Sequence, residues 1–265
     1  MFPAEPRFPP SICLRVTRRC NAACSFCQAP NTDRSTLTLG EMDVIGAVLE
    51  SRDLSTIKLS GGEPTTRSDL PRIVTAFGLR GIKPVVITNG FRIDAPVFGA
   101  LRAVDGELKF SVHRPGPDND LVLRVSSFPR ILANMEAARA LRVPFSINAV
   151  VAPGDADRMK EMAAFAVEQG ARKISFVPVV PRGRARARPE FEFDAPGVAD
   201  VRDRVVELAA DLEPYIVVRC IDIRKHDYWV IENDGSLWIE RSRDEDDVLI
   251  MEKNQLMALG GRIRR

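Results

Sequence analysis

The sequence predicts an α/β protein, a partial (β/α)6 TIM-like barrel with a small C-terminal α+β extension. Three observations predict it. Short β-branched runs alternate with amphipathic helical stretches from residue 12 to residue 180. Six such βα repeats read as a parallel sheet, whose right-handed crossovers put the helices on one side if the sheet curls. Residues of distinctive chemistry then follow the strand C-termini, where parallel sheets and barrels place their sites.

In order, strands are expected at 12–17, 56–60, 84–88, 108–113, 145–151 and 173–179. Helices are expected near 40–52, 69–79, 95–103, 129–141 and 155–169. The pattern changes at Pro181. Residues 181–189 carry four arginines, two prolines and Gly183, and read as a loop. Beyond it come a helix at about 196–212, a strand at 216–221 and a hairpin. The hairpin strands, 228–231 and 237–239, flank the turn Asn233-Asp234-Gly235. The division expected is a barrel at 1–180, an Arg/Pro-rich linker at 181–195 and a capping extension at 196–265.

A chain of 265 residues can bury a full core. Hydrophobic residues make up 45% and charged residues 28%, an ordinary balance for a soluble protein. The 38 basic residues nearly cancel the 36 acidic ones, and a net charge of +2 argues for neither nucleic-acid nor membrane binding. Residues 1–10 hold four prolines and lack the basic and apolar regions of a signal peptide. No apolar run approaches the ~20 residues that span a bilayer. A cytoplasmic protein with reduced thiols is expected. Nothing in the sequence sets an oligomeric state.

Three of the five cysteines fall within eight residues, which points to ligation rather than a disulfide framework. Cys20, Cys24 and Cys27 have the spacing C-x3-C-x2-C, with the aromatic Phe26 before the third. Three thiolates hold three corners of an iron–sulfur cubane and leave one iron without a protein ligand. An external molecule can chelate that iron, accept an electron through it and be cleaved. Two other readings stay open. Spacing of i, i+4, i+7 is also one face of a helix, which would make these buried structural cysteines. Zinc, with Cys220 or a histidine as fourth ligand, is the other. The segment follows a strand and ends near Pro30-Asn31, which favours a loop, and the second cysteine pair usual for structural zinc is missing.

This cysteine spacing resembles the signature of the radical S-adenosylmethionine superfamily. Ser60-Gly61-Gly62-Glu63-Pro64, after the second strand, matches that family's GGEP motif. The similarity covers roughly residues 12–180 and lies closest to the branch of the molybdenum-cofactor 3′,8-cyclase, SPASM-domain enzymes and viperin. The resemblance implies one [4Fe–4S] cluster, S-adenosylmethionine and a flavodoxin- or ferredoxin-type electron donor. It also implies the reaction: reductive cleavage gives a 5′-deoxyadenosyl radical, which abstracts hydrogen from a substrate. Gly61 and Gly62 would admit close backbone approach, and Glu63 would accept from the ligand's ammonium. Ser111 and Arg124 are the residues implied for its carboxylate, and Asn148 is a candidate for ribose or adenine. Thr88-Asn89-Gly90 reads as a turn near the pocket.

That branch carries C-terminal cysteines for auxiliary clusters, whereas this chain has only Cys220 after residue 27. Cys13 is expected in packing. Cys220 is a possible hydrogen-atom donor to a substrate radical. Side chains two apart share a strand face. The polar face carries Arg15/Thr17, Lys58/Ser60, Val86/Thr88, Lys109/Ser111/His113, Ser146/Asn148 and Lys173/Ser175, with Glu107 the evident acid. Facing into a barrel, Arg15, Lys58, Lys109, Lys173 and His113 would meet an anion, since uncompensated buried cations are costly. The expected partner is therefore a small, anionic substrate, of nucleotide or natural-product sugar type. Arg182, Arg184, Arg186 and Arg188 follow the sixth strand at the same mouth and could close over it. Two alternatives remain: a peptide-modifying enzyme, for which no leader-binding domain is expected, and a metal or cluster sensor without catalysis.

Overall fold

The structure is a computed structural model that describes residues 8–30, 35–225 and 227–263. Most of the proline-rich start, and Asn31 at the end of the cysteine segment, lie outside the described residues. Seven strands run parallel, each beside the next: β1 (Ser11–Thr17), β2 (Thr56–Gly61), β3 (Lys83–Thr88), β4 (Glu107–Ser111), β5 (Phe145–Val151), β6 (Lys173–Pro178) and β7 (Val217–Cys220). The crossovers carry α1 (Leu39–Glu50), α2 (Leu70–Gly78), α3 (Ala95–Ala103), the short α4 (Asp118–Leu123), α5 (Phe128–Ala140), α6 (Arg158–Glu168) and α7 (Ala195–Leu212). Local chemistry starts these helices. Thr38 and Glu41 form a capping box on α1. Proline occupies the first turn of α2, α3, α5 and α7, where its missing N–H has no helical partner to lose.

The tail, expected as a capping extension, supplies strands to both edges of one sheet of order β10-β9-β8-β1-β2-β3-β4-β5-β6-β7. β8 (Tyr228–Ile231) pairs parallel with β1, while β9 (Leu237–Glu240) and β10 (Val248–Met251) follow antiparallel. Without the hairpin β1 would expose an unpaired edge, which folds generally cover. Three elements escape sequence reading, the short α4, β10 and α8 (Lys253–Ile263). Gly260 and Gly261 lower helix propensity by about 1 kcal/mol each, yet α8 forms because it rests on α1. A β-carbon at Gly260 would lie 2.4 Å from Val44, and Lys253 pairs with Glu41.

Partners in neighbouring parallel strands share a face. Outward residues Ile12, Leu14, Ile57, Leu59, Leu108, Phe110, Ile174 and Phe176 are buried against the helices. Inward rows include Cys13, Lys58, Val85 and Glu107, then Ile87, Lys109 and Ser146. The alternation holds in five of the six barrel strands and fails in β3, where Val85 and Ile87 turn inward and Val86 outward. Positions 85–87 are apolar on both faces, so polarity there carries no signal. Among the described residues no helix is long and apolar enough to cross a membrane.

Candidate active site

The cysteine segment is not helical, which removes the helix-face reading. Four contacts hold it as a loop at the strand C-termini. The Ala22 N–H donates to Cys20 Sγ at 3.3 Å and the Cys27 N–H to the Cys24 carbonyl at 3.3 Å. The Ala23 N–H donates to the Leu123 carbonyl at 2.9 Å, tying the loop to the end of α4. From the loop after β6, the Arg184 N–H donates to the Cys27 carbonyl at 2.9 Å. Gly183, at φ +53°, permits that approach: a β-carbon there would sit 2.5 Å from the same carbonyl.

Gly61 and Gly62, both on the cavity wall, also perform a task the sequence does not announce. A β-carbon on Gly61, at φ +132°, would lie 2.0 Å from the Thr17 carbonyl oxygen, and one on Gly62 would lie 2.2 Å from that of Arg19. The Gly62 and Glu63 N–H groups donate to those two carbonyls at 2.7 and 2.8 Å. The glycine pair therefore docks the backbone that enters the cysteine loop. Glu63, 2% exposed, braces the same corner. Its Oε1 accepts from the Thr65 N–H and hydroxyl and from the Thr88 hydroxyl, and its Oε2 accepts from the Asn89 N–H at 2.7 Å. Burial nonetheless pushes its pKa up. Asn89 also donates to Asn21 Oδ1 at 2.8 Å, so Thr88-Asn89-Gly90 is wired to both motifs, a link no sequence pattern announced.

Cys20, Cys24 and Cys27 are free, half-buried and share one cavity of about 250 Å3. Burial pushes the Cys24 thiol up to about 12, aided by Cys27 and Cys20; burial likewise raises Cys20. The Arg184 guanidinium, 3.3 Å from the Cys24 carbonyl, works against both shifts and favours thiolates. A cubane takes its thiolates at separate iron corners, and three thiols around one cavity suit it.

The other wall residues include Gly61, Gly62, Glu63, Ser111, Asn148, Phe26, His113 and Arg15. Asn148 Oδ1 is buried without a partner, an acceptor that an amino or hydroxyl group of a bound molecule would satisfy. His113 Nδ1 accepts from the Val150 N–H at 3.1 Å, and its ring meets Phe26 edge-on at 4.8 Å. Burial, with Arg114 alongside, holds its pKa down at about 3. His113 is thus neutral, with a donor to offer and no charge for an anion.

Several expected site residues lie elsewhere. Pro64 is buried outside the lining. Arg124 caps α4 in a left-handed conformation, exposed, one residue beyond the lining residue Leu123. Lys58, Lys109 and Lys173 are not part of the lining either. Arg15 lines it but is not uncompensated: Glu232 pairs with it, as does Glu240 at 2.7 Å, both from the tail. Of the arginine-rich loop, Arg182 is 3% exposed and grips Asp247, Asp244 and Glu240, and only Arg184 lines the cavity. Cys220 pairs in register with Phe176 and packs on the helix-side core, so it does not face the cavity and cannot pass a hydrogen atom into it. Cys13, expected in packing, faces the cavity instead, hydrogen-bonded to Tyr228.

Comparison with known proteins decides the family. A profile of the Radical SAM superfamily matches residues 14–166. The chain belongs to the radical SAM superfamily. A PqqA peptide cyclase of Xanthomonas campestris pv. campestris (strain B100) is 32% identical over 174 residues, covering 63% of this chain and 46% of that protein. A probable GTP 3′,8-cyclase of Metallosphaera sedula is 25% identical over 207 residues, covering 76% of this chain and 64% of the relative. The chain thus spans between about half and two thirds of the length of these relatives. Streptococcus suis SuiB bound to precursor peptide SuiA superposes with a TM-score of 0.76 at 16% identity, over 87% of this chain and 59% of that one. anSMEcpe with bound AdoMet and a Cp18Cys peptide gives 0.73 at 13% identity, over 96% of this chain and 82% of the other. These superpositions establish the shared TIM-like barrel of this radical SAM chain. Its cofactors are those of the family, a [4Fe–4S] cluster and S-adenosylmethionine, and the thiol trio and the orphaned Asn148 acceptor fit them.

Proposed function

We propose that this radical SAM enzyme acts on a small anionic metabolite, of nucleotide or natural-product sugar type. Three thiols and an unpartnered buried acceptor facing one cavity support the cofactor chemistry. The observation that carries the anionic substrate is the inward placement of Lys58 and Lys109 beside the cavity residues Cys13 and Ile87. When bound, the cluster and S-adenosylmethionine would supply one-electron reduction and abstraction of hydrogen from the substrate. The chain's own residues bind and orient. Cys20, Cys24 and Cys27 hold the cluster. Glu63 keeps acceptor capacity on Oε2 for an ammonium, and the Ser111 hydroxyl, on the cavity wall, donates to a carboxylate. Asn148 Oδ1 accepts from ribose or adenine. Val150, Val177 and Val179 keep the wall apolar and exclude water. A flavodoxin- or ferredoxin-type protein would deliver the electron in the reducing cytoplasm.

A second reading, modification of a peptide, is favoured by the relatives named peptide cyclases and by the peptide-bound structures of similar fold. Substrate dependence separates the two. Under anaerobic turnover with dithionite, phosphorylated nucleotides are expected to raise the yield of 5′-deoxyadenosine above the substrate-free level. Stimulation by peptides alone would replace the first reading with the second.

A further inference from the structure

Two sets of buried or half-buried cations differ in their partners. Arg15 and Arg182 each receive acids from the tail, Glu232 and Glu240 for the first, Glu240, Asp244 and Asp247 for the second. Lys58, Lys109, Lys173 and Arg219 receive none: among the described residues no carboxylate lies within ion-pair distance of any of them.

Strand register puts this second group on the inward face. Lys58 pairs with the cavity residue Cys13, and Lys109 with the cavity residue Ile87. Arg219 pairs with Ser175, and Lys173 shares the face of Ser175 two residues earlier. Lys109 is 5% exposed. Glu107 is the nearby acid, but its carboxylate already accepts from the Ser146 hydroxyl at 2.7 Å and faces Lys83 at 3.6 Å. Arg219 Nε donates to Ser175 Oγ at 2.9 Å, a neutral acceptor, and Lys58 lies 5.5 Å over the Tyr228 ring. Burial pushes Lys109 down to about 8, with Arg219, Lys58 and Lys173 adding repulsion. A fold that supplies acids to two interior arginines leaves this group with an excess of positive charge, at a cost that a bound anion offsets.

We propose that Lys58, Lys109, Lys173 and Arg219 form a phosphate-binding site in the half of the barrel interior nearest the strands' N-termini, holding the charged end of the substrate. The role assigned to it rests on the metabolite reading above. Arginine's fork and lysine's point charge together suit a multiply charged phosphate. The site adjoins the cavity across Tyr228 and Ile87, both of which line it. A phosphorylated metabolite would anchor here and reach past Tyr228 toward the cysteine loop.

The test uses inorganic pyrophosphate and the full chain, without cluster or S-adenosylmethionine. Pyrophosphate is expected to bind saturably by calorimetry and to raise the melting temperature. In the Lys109→Met/Lys173→Met variant its Kd should weaken by at least about tenfold, equivalent to 1.4 kcal/mol. That variant should melt no lower than the parent when no ligand is present, because mutual repulsion has been removed. Equal affinity in parent and variant would overturn the site, as would no saturable binding at millimolar pyrophosphate. Binding of an acidic peptide but not of pyrophosphate would overturn it too. The result is independent of the radical chemistry: a chain that forms 5′-deoxyadenosine yet ignores pyrophosphate refutes this site alone, whereas one that binds pyrophosphate and forms none keeps the site and loses the reaction.

Discussion

Gly61→Ala is expected to destabilise the protein by about 2–5 kcal/mol and to strip it of iron. The added methyl must enter a space where the Thr17 carbonyl oxygen lies 2.0 Å away, and the backbone there is at φ +132°. Overpacking costs roughly 1–3 kcal/mol and a β-carbon in such a conformation another 1–2 kcal/mol. Because the obstacle is backbone, relief must come from moving Thr17 or the strand end, and that shift passes directly into the loop that begins at Cys20. Urea unfolding of the cluster-free protein measures the first effect, and iron content after reconstitution the second. Gly40→Ala is the control. It lies in α1, where an added methyl would meet nothing within 4 Å, and should stabilise by up to about 1 kcal/mol. A Gly61→Ala protein as stable as its parent, with full iron, would remove the docking role assigned to the glycine pair.

Arg182→Met is expected to cost roughly 3–5 kcal/mol, the usual result of removing one partner from a buried ion network. Arg182 donates to both oxygens of Asp247 at 2.5 and 2.7 Å and to the Arg241 carbonyl at 2.7 Å. It also reaches Glu240, which in turn holds Arg15 of β1. Its loss leaves Asp247 facing a methyl thioether and loosens the tail from the loop that carries Arg184 to the cysteines. Lysine at the same position should recover only part of the stability, because a single ammonium cannot serve this set of acceptors bidentately. The exposed Arg186–Glu245 pair, 3.4 Å apart, offers the contrast: breaking it should cost less than about 1 kcal/mol. Equal, small effects from both substitutions in denaturant unfolding would show that the buried network does not hold the tail.

The barrel strands were legible because short β-branched runs, most of them alternating apolar and polar residues, recur between helical stretches, and the cysteine trio because its spacing has few other uses. Other features depended on partners far away in the chain. The acids that compensate Arg15 lie 217 and 225 positions later, in a hairpin whose place in the sheet no local pattern reveals. Glu63 reads as a ligand contact, but its bracing of Thr88 and Asn89 is invisible in the sequence, because those residues arrive from the next strand. The cysteine assignments were reversed for a smaller reason. The alternation that turns Arg15 inward turns Cys13 inward as well, so that signal was present in the sequence; Cys220 follows Val218 on the opposite face.

The most direct test of the central claim is made without oxygen. The protein is reconstituted with iron and sulfide, its metals are counted, and 5′-deoxyadenosine is quantified after adding S-adenosylmethionine and dithionite. About four irons per chain, no zinc, and 5′-deoxyadenosine that disappears in Cys24→Ala are the predicted results. Equal product from Cys24→Ala, or none from a fully loaded protein supplied with both nucleotides and peptides, would contradict it.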